Sequence, residues 1–289
     1  MMNIQVRNVT KKYKDKVALN KLNFTIEGPK IVGFLGHNGA GKTTFLNILS
    51  GIIPTTDGEL LVNGNPVFNT AQVLRDICFI AETGNFQQDM TVEQSLKANR
   101  YFYPKWDQEL ARKLLKVFAL PPKSKVRNLS KGMSSALGII TGLASRAPIT
   151  ICDEPYIGLD VAARSKFYDL LIEEQEVQPR LFILSTHLID EVSNLFDEVL
   201  ILDEGELLLQ KDYLEWDETI LAIRGSAEEV ANVAKDHEVI YEQVFMNEKM
   251  AVLYLKDDWS NNNAITSERV SLQELLVYLS KQQKARYAI

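Results

Sequence analysis

At 289 residues, 46% hydrophobic and 24% charged, the chain is long enough for one large or two unequal domains around a full apolar core. A formal charge of -6 argues against a nucleic-acid binder, because such affinity rests on a basic footprint.

The first apolar-alternating segments, Ile4–Val9 and Leu22–Ile26, are expected to pair antiparallel across the charged stretch Lys11–Lys16 as the turn. Tyr13 is either a packing aromatic of this hairpin or a platform on which a purine stacks. Ile31–Leu35 then reads as a buried strand, and Thr44–Ser50 carries Phe45, Leu46, Ile48 and Leu49 at helical spacing. Between them, Gly36-His37-Asn38-Gly39-Ala40-Gly41-Lys42-Thr43 satisfies G-x-x-x-x-G-K-[ST] in the strand, loop and helix context that the motif requires. Such a loop turns successive backbone N–H groups toward phosphate oxygens, and the helix behind it adds the positive end of its dipole. Lys42 is expected to face the β- and γ-phosphates of a nucleotide and Thr43 to offer its hydroxyl to Mg²⁺. The bland alternative is a glycine-rich turn without a ligand.

Gly51 fits a helix C′ position, and Asp57-Gly58 and Asn63-Gly64 fit turns around a short strand, Glu59–Val62. Asp76–Ala81 reads as another buried strand, after which the pattern is helical to about residue 147. In that region Thr91 and Gln94 make a capping box, and Asp107 is an N-cap for a helix with Leu110, Leu114, Val117 and Phe118 on one face. Pro121-Pro122 ends that helix. Leu129-Ser130-Lys131-Gly132-Met133 opens the next, with Leu137, Ile140, Leu143 and Ala144 in line and Gly138 and Gly142 allowing a close neighbour. The longest apolar run, Leu137 to Cys152, is broken by Arg146 and Pro148, and the amino terminus has no signal-peptide core, so the expectation is a chain that does not span a membrane by itself.

Ile149–Cys152 reads as a strand whose C-terminal edge carries Asp153-Glu154-Pro155, the edge at which open α/β sheets bind ligands. Two adjacent acids there suggest a magnesium ligand and a base; a solvated loop is the alternative. Gly158-Leu159-Asp160 leads into a helix with Phe167, Leu170 and Leu171, and Leu181–Leu184 is a strand ending in Ser185-Thr186-His187. His187 is either structural or, beside a phosphate site, catalytic. Val199–Leu202 and Glu206–Leu209 flank Asp203-Glu204-Gly205 as a hairpin. Cys78 and Cys152 lie inside apolar runs and read as buried free thiols of a reducing, cytoplasmic compartment. From about Asp217 the character changes: Thr219–Ile223, Val239–Met246 and Met250–Leu255 read as strands, and Ser226 with Glu229 and Ser271 with Glu274 as capping boxes. Leu272, Leu275, Leu276 and Leu279 form a one-sided stripe, and Asn261-Asn262-Asn263 a polar loop. This α+β appendage carries no evident catalytic constellation.

The ordered set of the Gly36–Thr43 loop, Leu129–Met133, Asp153-Glu154, Gly158-Leu159-Asp160 and His187 resembles the ATP-binding subunit of ABC transporters over about residues 1–215. The resemblance implies an α/β P-loop NTPase of ABC type with an antiparallel β subdomain, a helical subdomain inserted at about 83–147 and a small C-terminal α+β appendage, divided as 1–216 and 217–289. It implies that Tyr13 stacks on adenine and that Gly36, His37, Asn38, Gly39, Ala40, Gly41, Lys42, Thr43 and Thr44 form the Walker A loop. Asp153 then matches the Walker B magnesium residue, Glu154 the general base and His187 the switch histidine at the γ-phosphate. Ser130 and Gly132 match the signature motif, which contacts the ATP of the opposite subunit.

The implied assembly is a head-to-tail dimer, with itself or with a sister ATPase, that sandwiches two ATP molecules and hydrolyses them with Mg²⁺. Its implied partner is an integral membrane permease at the cytoplasmic face of the membrane, with no nucleic acid. Two departures stand out. The signature helix continues Met133-Ser134-Ser135-Ala136 in place of glutamine and basic residues, and Glu82 stands where the family usually has glutamine. Glu82 is therefore a further candidate metal residue, unless Gln87 or Gln88 takes the usual glutamine's place. The acidic version is similar to Gram-positive exporters of lantibiotics and other antimicrobial or amphipathic peptides. The expected function is ATP hydrolysis that powers a separately encoded exporter of such peptides. The alternative is a soluble ABC-type regulator of ribosomes or DNA, which usually carries two ATPase domains or a long coiled-coil insertion; a GTPase is disfavoured by the missing Asn-Lys-x-Asp motif.

Overall fold

The structure, a computed structural model, describes residues 2–213, 220–246, 248–255 and 265–287; Asp217, Thr219 and the Asn261-Asn262-Asn263 loop lie outside the described residues. Its contacts divide the chain into two units, Met1–His187 with Leu202–Leu207, and Leu188–Ile201 with Leu208–Ile289.

The first unit opens with β1 (Met2–Tyr13) and β2 (Lys16–Gly28), paired antiparallel. The charged stretch expected as the turn is mostly strand, since Lys11 faces Leu19, Lys12 faces Val17 and Tyr13 faces Lys16. Only Lys14 and Asp15 remain between the strands, with Lys14 at φ +52°. Lysines are at home on such an exposed edge because they discourage further strand pairing. After β3 (Lys30–Leu35) and the helix α1 (Lys42–Leu49), β4 (Asp57–Val62) joins the other edge of β1, followed by the two-residue β5 (Asn65–Pro66). Asn63 and Gly64 turn between them with positive φ, 49° and 76°, as expected of a tight hairpin. Asp57-Gly58, by contrast, belongs to β4, at the point where its register with β1 shifts.

The central sheet explains the apolar runs. Strands β6 (Ile77–Ile80), β7 (Ile149–Asp153) and β8 (Leu181–Ser185) lie parallel with β3 in the order β3-β8-β7-β6. All residues of β7 and β8 are buried, and strands covered on both faces are near-continuous apolar runs rather than alternating ones. Residues Leu202–Leu207, the facing ends of β9 (Glu198–Asp203) and β10 (Glu206–Asp212) with the turn between them, also belong to this unit. Phe45 of α1 stacks on Phe34 of β3 at 4.9 Å and meets Phe24 of β2 at 5.3 Å. These buried rings, each worth about 1.5–3 kcal/mol of burial, lock α1 against both sheets and so fix the loop that precedes it.

The helical stretch comprises α2 (Ala71–Leu74), before β6, and then α3 (Val92–Phe102), α4 (Gln108–Val117) and α5 (Lys131–Ala144). Thr91 and Gln94 form the expected capping box, and the Asp107 carboxylate accepts from Leu110 N at 2.8 Å. Leu110 and Leu114 are buried, whereas Val117 and Phe118 are half-buried. Gly138 lies where a Cβ would come within 2.8 Å of Ile80, so α5 sits directly on the central sheet. The α6 helix (Val161–Val177) follows, capped by Asp160 and buried through Phe167, Leu170 and Leu171. Cys78 and Cys152 are buried free thiols, and no helix among the described residues is long and apolar enough to cross a membrane.

The second unit contains the short α7 (Ile189–Val192), a four-stranded antiparallel sheet and two longer helices. The strands β11 (Ile220–Gly225), β12 (Glu238–Phe245), β13 (Glu248–Tyr254) and β14 (Thr266–Arg269) run in the order β12-β13-β11-β14. Both expected capping boxes form, at the starts of α8 (Ala227–Ala234) and α9 (Leu272–Tyr287). Ile223, Val230, Ala251, Leu253, Leu255 and Ile265 build this unit's own core, and α9 packs on β12 and α7. The polar edge strand β14 has no apolar alternation; it pairs with β11 through its backbone and through the ion pair of Glu268 with Arg224 at 2.8 Å.

Candidate nucleotide site

Gly41, the N-cap residue of α1, holds φ +105° and offers no side-chain cap, and the first turn of the helix has no acidic residue. Its N-terminal amides are therefore left for an external acceptor, and an anion suits them. Lys42, the first residue of α1, is only 8% exposed; its ammonium donates to Gly36 O at 2.7 Å and His37 O at 3.2 Å. Burial pulls its pKa below the ordinary value, against the opposing charges of Glu154, Asp153 and Asp203. His37 and Ala40 close the loop on themselves, Ala40 N donating to His37 O, and Ala40 O accepts from Gly205 N at 3.0 Å.

Opposite the loop are the ends of β7 and β8. Thr43 donates its hydroxyl to Asp153 Oδ2 at 2.9 Å. Because Asp153 and Ser185 are register partners, the next residue, Glu154, reaches across with its N–H to Ser185 O at 3.0 Å. Glu154 turns off the strand at φ +51°, a left-handed conformation that costs a non-glycine residue about 1 kcal/mol or more. Its Oε2 lies 2.7 Å from His187 Nδ1 and accepts from the Tyr156 hydroxyl at 2.7 Å.

A cavity of about 530 Å³ is lined by Asn38, Gly39, Gly41, Lys42, Thr43 and Thr44 on one side and by Asp153, Glu154 and Glu82 on the other. Tyr13, 47% exposed, forms part of its wall with Lys16 and Ala18, and Lys11 Nζ stands 5.3 Å from the Tyr13 ring. Gly36, His37 and Ala40 form the back of the loop rather than the lining, and His187 joins the site through Glu154. Glu82 reaches the cavity, whereas the exposed Gln87 and Gln88 do not line it.

Ser130 and Gly132 stand apart from the cavity. Ser130 caps α5, accepting from Met133 N at 3.2 Å. Gly132 sits where a Cβ would come within 2.3 Å of Gly158 O, and Ser135 Oγ donates to Ile157 O at 2.6 Å. The unusual Met133–Ala136 segment thus anchors the start of α5 to the loop that follows Glu154.

Sequence reasoning passed over Tyr156, Thr186 and Lys16. Tyr156 looks like an apolar loop residue until its hydroxyl is traced to Glu154, and Lys16 was absorbed into the supposed turn. Among the described residues no group of three His, Cys, Asp or Glu side chains is set to hold a metal. The Thr43–Asp153 oxygen pair nevertheless fits Mg²⁺, which takes one or two protein oxygens and fills its shell with water and substrate phosphate. The donor set is suited to binding a polyphosphate and bringing a carboxylate base to its end.

Comparison with known proteins agrees. The family model for the ABC transporter matches residues 19–157. The chain is 31% identical to the bacitracin transport ATP-binding protein BcrA of Bacillus licheniformis, over 71% of this chain and 68% of that one. It is 32% identical to the Nod factor export ATP-binding protein I of Burkholderia lata, over 72% and 70%. A bacterial ABC transporter cassette solved as a dimer superposes with a TM-score of 0.65 at 25% identity, over 73% of this chain and 98% of the cassette. With its P-loop, acidic strand end and fold in place, the chain belongs to the ABC transporter family and is an ATP-hydrolysing subunit of it.

Proposed function

We propose that this ATPase works as a dimer at the cytoplasmic face of the membrane and drives a permease that exports amphipathic or antimicrobial peptides, with Glu154 as general base. The observation that carries the catalytic part is the convergence of Lys42, Thr43, Asp153, Glu154 and Glu82 on one cavity. Support for the export reading is the acidic residue Glu82 on that cavity and the names of two relatives, bacitracin transport and Nod factor export.

Phosphoryl transfer to water requires mostly positioning and charge stabilisation. The α1 amides and Lys42 bind the phosphates, and Tyr13 stacks on the base. Thr43 and Asp153 hold Mg²⁺, which when bound neutralises charge on the phosphate oxygens. Glu154 accepts the proton of the attacking water, and His187 orients at the γ-phosphate end. Ser130, Gly132 and the α5 N-terminus face the nucleotide of the second subunit, so hydrolysis waits for dimer closure. Glu82 links this site to the permease. We assign residues 217–289 an accessory role in regulation or dimer support, on the strength of their own sheet and apolar core.

The experiment is ATPase activity of the full chain reconstituted with its co-purifying permease in vesicles, with and without bacitracin as a probe peptide. Stimulation by the peptide is expected. An ATPase that brings down no membrane protein and ignores the peptide would overturn the transport reading.

A further inference from the structure

We propose that Tyr156 is a positioning residue for hydrolysis, its phenol fixing the Glu154 carboxylate so that one oxygen is tied to the protein and the other is left for the attacking water. The proposal rests on the reading of Glu154 as the base. Tyr156 is 3% exposed, and its ring stands edge-on to His187 at 6.1 Å. Its hydroxyl donates to Glu154 Oε2 at 2.7 Å and also contacts Thr186 Oγ1. A phenol has one proton; with that proton directed to Oε2, the phenol oxygen accepts from the Thr186 hydroxyl. The chain of donors therefore runs from the residue after β8, through Tyr156, to the residue after β7.

His187 Nδ1 meets the same oxygen at 2.7 Å. Two donors thus converge on Oε2 and fill its lone pairs. The two holds are unequal. The His187 side chain is 56% exposed, so its hold on Oε2 is open to solvent. Tyr156 is buried and cannot swing away without disturbing its surroundings, so it is the fixed point. The backbone of Glu154 is held as well, by its N–H to Ser185 O. That leaves side-chain rotation as the freedom the phenol removes. A base displaced by about 1 Å can lose about a hundredfold in rate, so one hydroxyl has ample leverage on catalysis while contributing little to ATP binding.

The bland alternative is that Tyr156 is only a packing residue whose hydroxyl needs a partner. Tyr156→Phe separates the two because it keeps the ring and removes the donor. Steady-state ATP hydrolysis by the full chain with Mg²⁺ is measured beside the ATP dissociation constant and the melting temperature. The expected result is a kcat about ten- to a hundredfold lower, with KM, ATP affinity and melting temperature unchanged. An unchanged kcat overturns the proposal, and so does a rise in KM or a drop in melting temperature that accounts for the loss, since either marks a structural role. Should Tyr156→Phe fail to fold, Thr186→Val, which cannot donate to the phenol, takes its place with the same expected split. Glu154→Gln is measured in parallel. If it hydrolyses ATP like wild type, the base reading fails and the proposal with it; if it is inactive while Tyr156→Phe matches wild type, only the role of Tyr156 is refuted.

Discussion

Lys42→Ala tests the nucleotide site at its buried cation. The ammonium sits inside the loop, bonded to Gly36 O and His37 O, and its field reaches any phosphate cradled by the same backbone. A unit charge about 4 Å from a phosphate oxygen is worth about 4 kcal/mol at an effective dielectric near 20. Water entering the space of the lost side chain recovers part of that, so a net loss of about 2–4 kcal/mol is expected. This corresponds to about a 30- to 1,000-fold weaker ATP dissociation constant. Stability should move the other way or not at all. Burial lowers the folded-state pKa of Lys42, so the unfolded chain binds its proton more tightly. The ammonium therefore costs stability at neutral pH, and that cost is relieved only as pH rises through the lowered value toward 10.5. Isothermal titration with ATP and Mg²⁺, beside thermal melting without nucleotide, reads both quantities. An affinity loss below about threefold in a folded variant would contradict a 2–4 kcal/mol contribution and remove Lys42 from the phosphate site.

Glu154→Gln should keep ATP affinity while hydrolysis falls about a hundredfold or more, and a dimer should accumulate on size exclusion with ATP and Mg²⁺; a monomeric, fully active variant rules out the base role. Glu82→Ala should lower permease-coupled ATPase much more than ATP binding, and Glu82→Gln should keep substantial activity with a weaker Mg²⁺ dependence. If both Glu82 variants match wild type while Gln87→Ala or Gln88→Ala is crippled, the coupling role belongs to a glutamine. Ending the chain after Asp217 should leave ATP binding intact but lower the melting temperature, because α9 packs on α7 and its loss uncovers Ile189 and Val192; a folded truncation that binds no ATP contradicts an accessory role for that segment.

The parts of this fold that could be read from sequence are those in which one residue type serves one local purpose. The Gly36–Thr43 loop, the Thr91, Asp107 and Ser226 caps and the buried β7 and β8 runs are of this kind. Errors arose where a local signal was overridden by pairing. The lysines of β1 and β2 looked like turn residues yet have cross-strand partners, and Asp57-Gly58 looked like a turn yet belongs to a strand at a register shift. The edge strand β14 has no apolar alternation to announce it, and its Glu268–Arg224 ion pair shows only once the strands are paired.

The candidate site shows the same division. Lys42 and Thr43 are announced by their motif, and Asp153-Glu154 and His187 by their position after apolar runs. What brings the last two together is the parallel register that sets Asp153 beside Ser185, and register is a property of two strands that neither displays alone. One residue beyond each partner, the chains leave the sheet; Glu154 leaves by a left-handed turn, and its N–H bond to Ser185 O holds that turn against β8. A slip of one residue between β7 and β8 would turn Asp153 from one face of the sheet to the other and take its carboxylate away from Thr43. The geometry of the acids is thus set by the packing that fixes the strands, through buried apolar positions of β7 and β8 that do not themselves line the cavity.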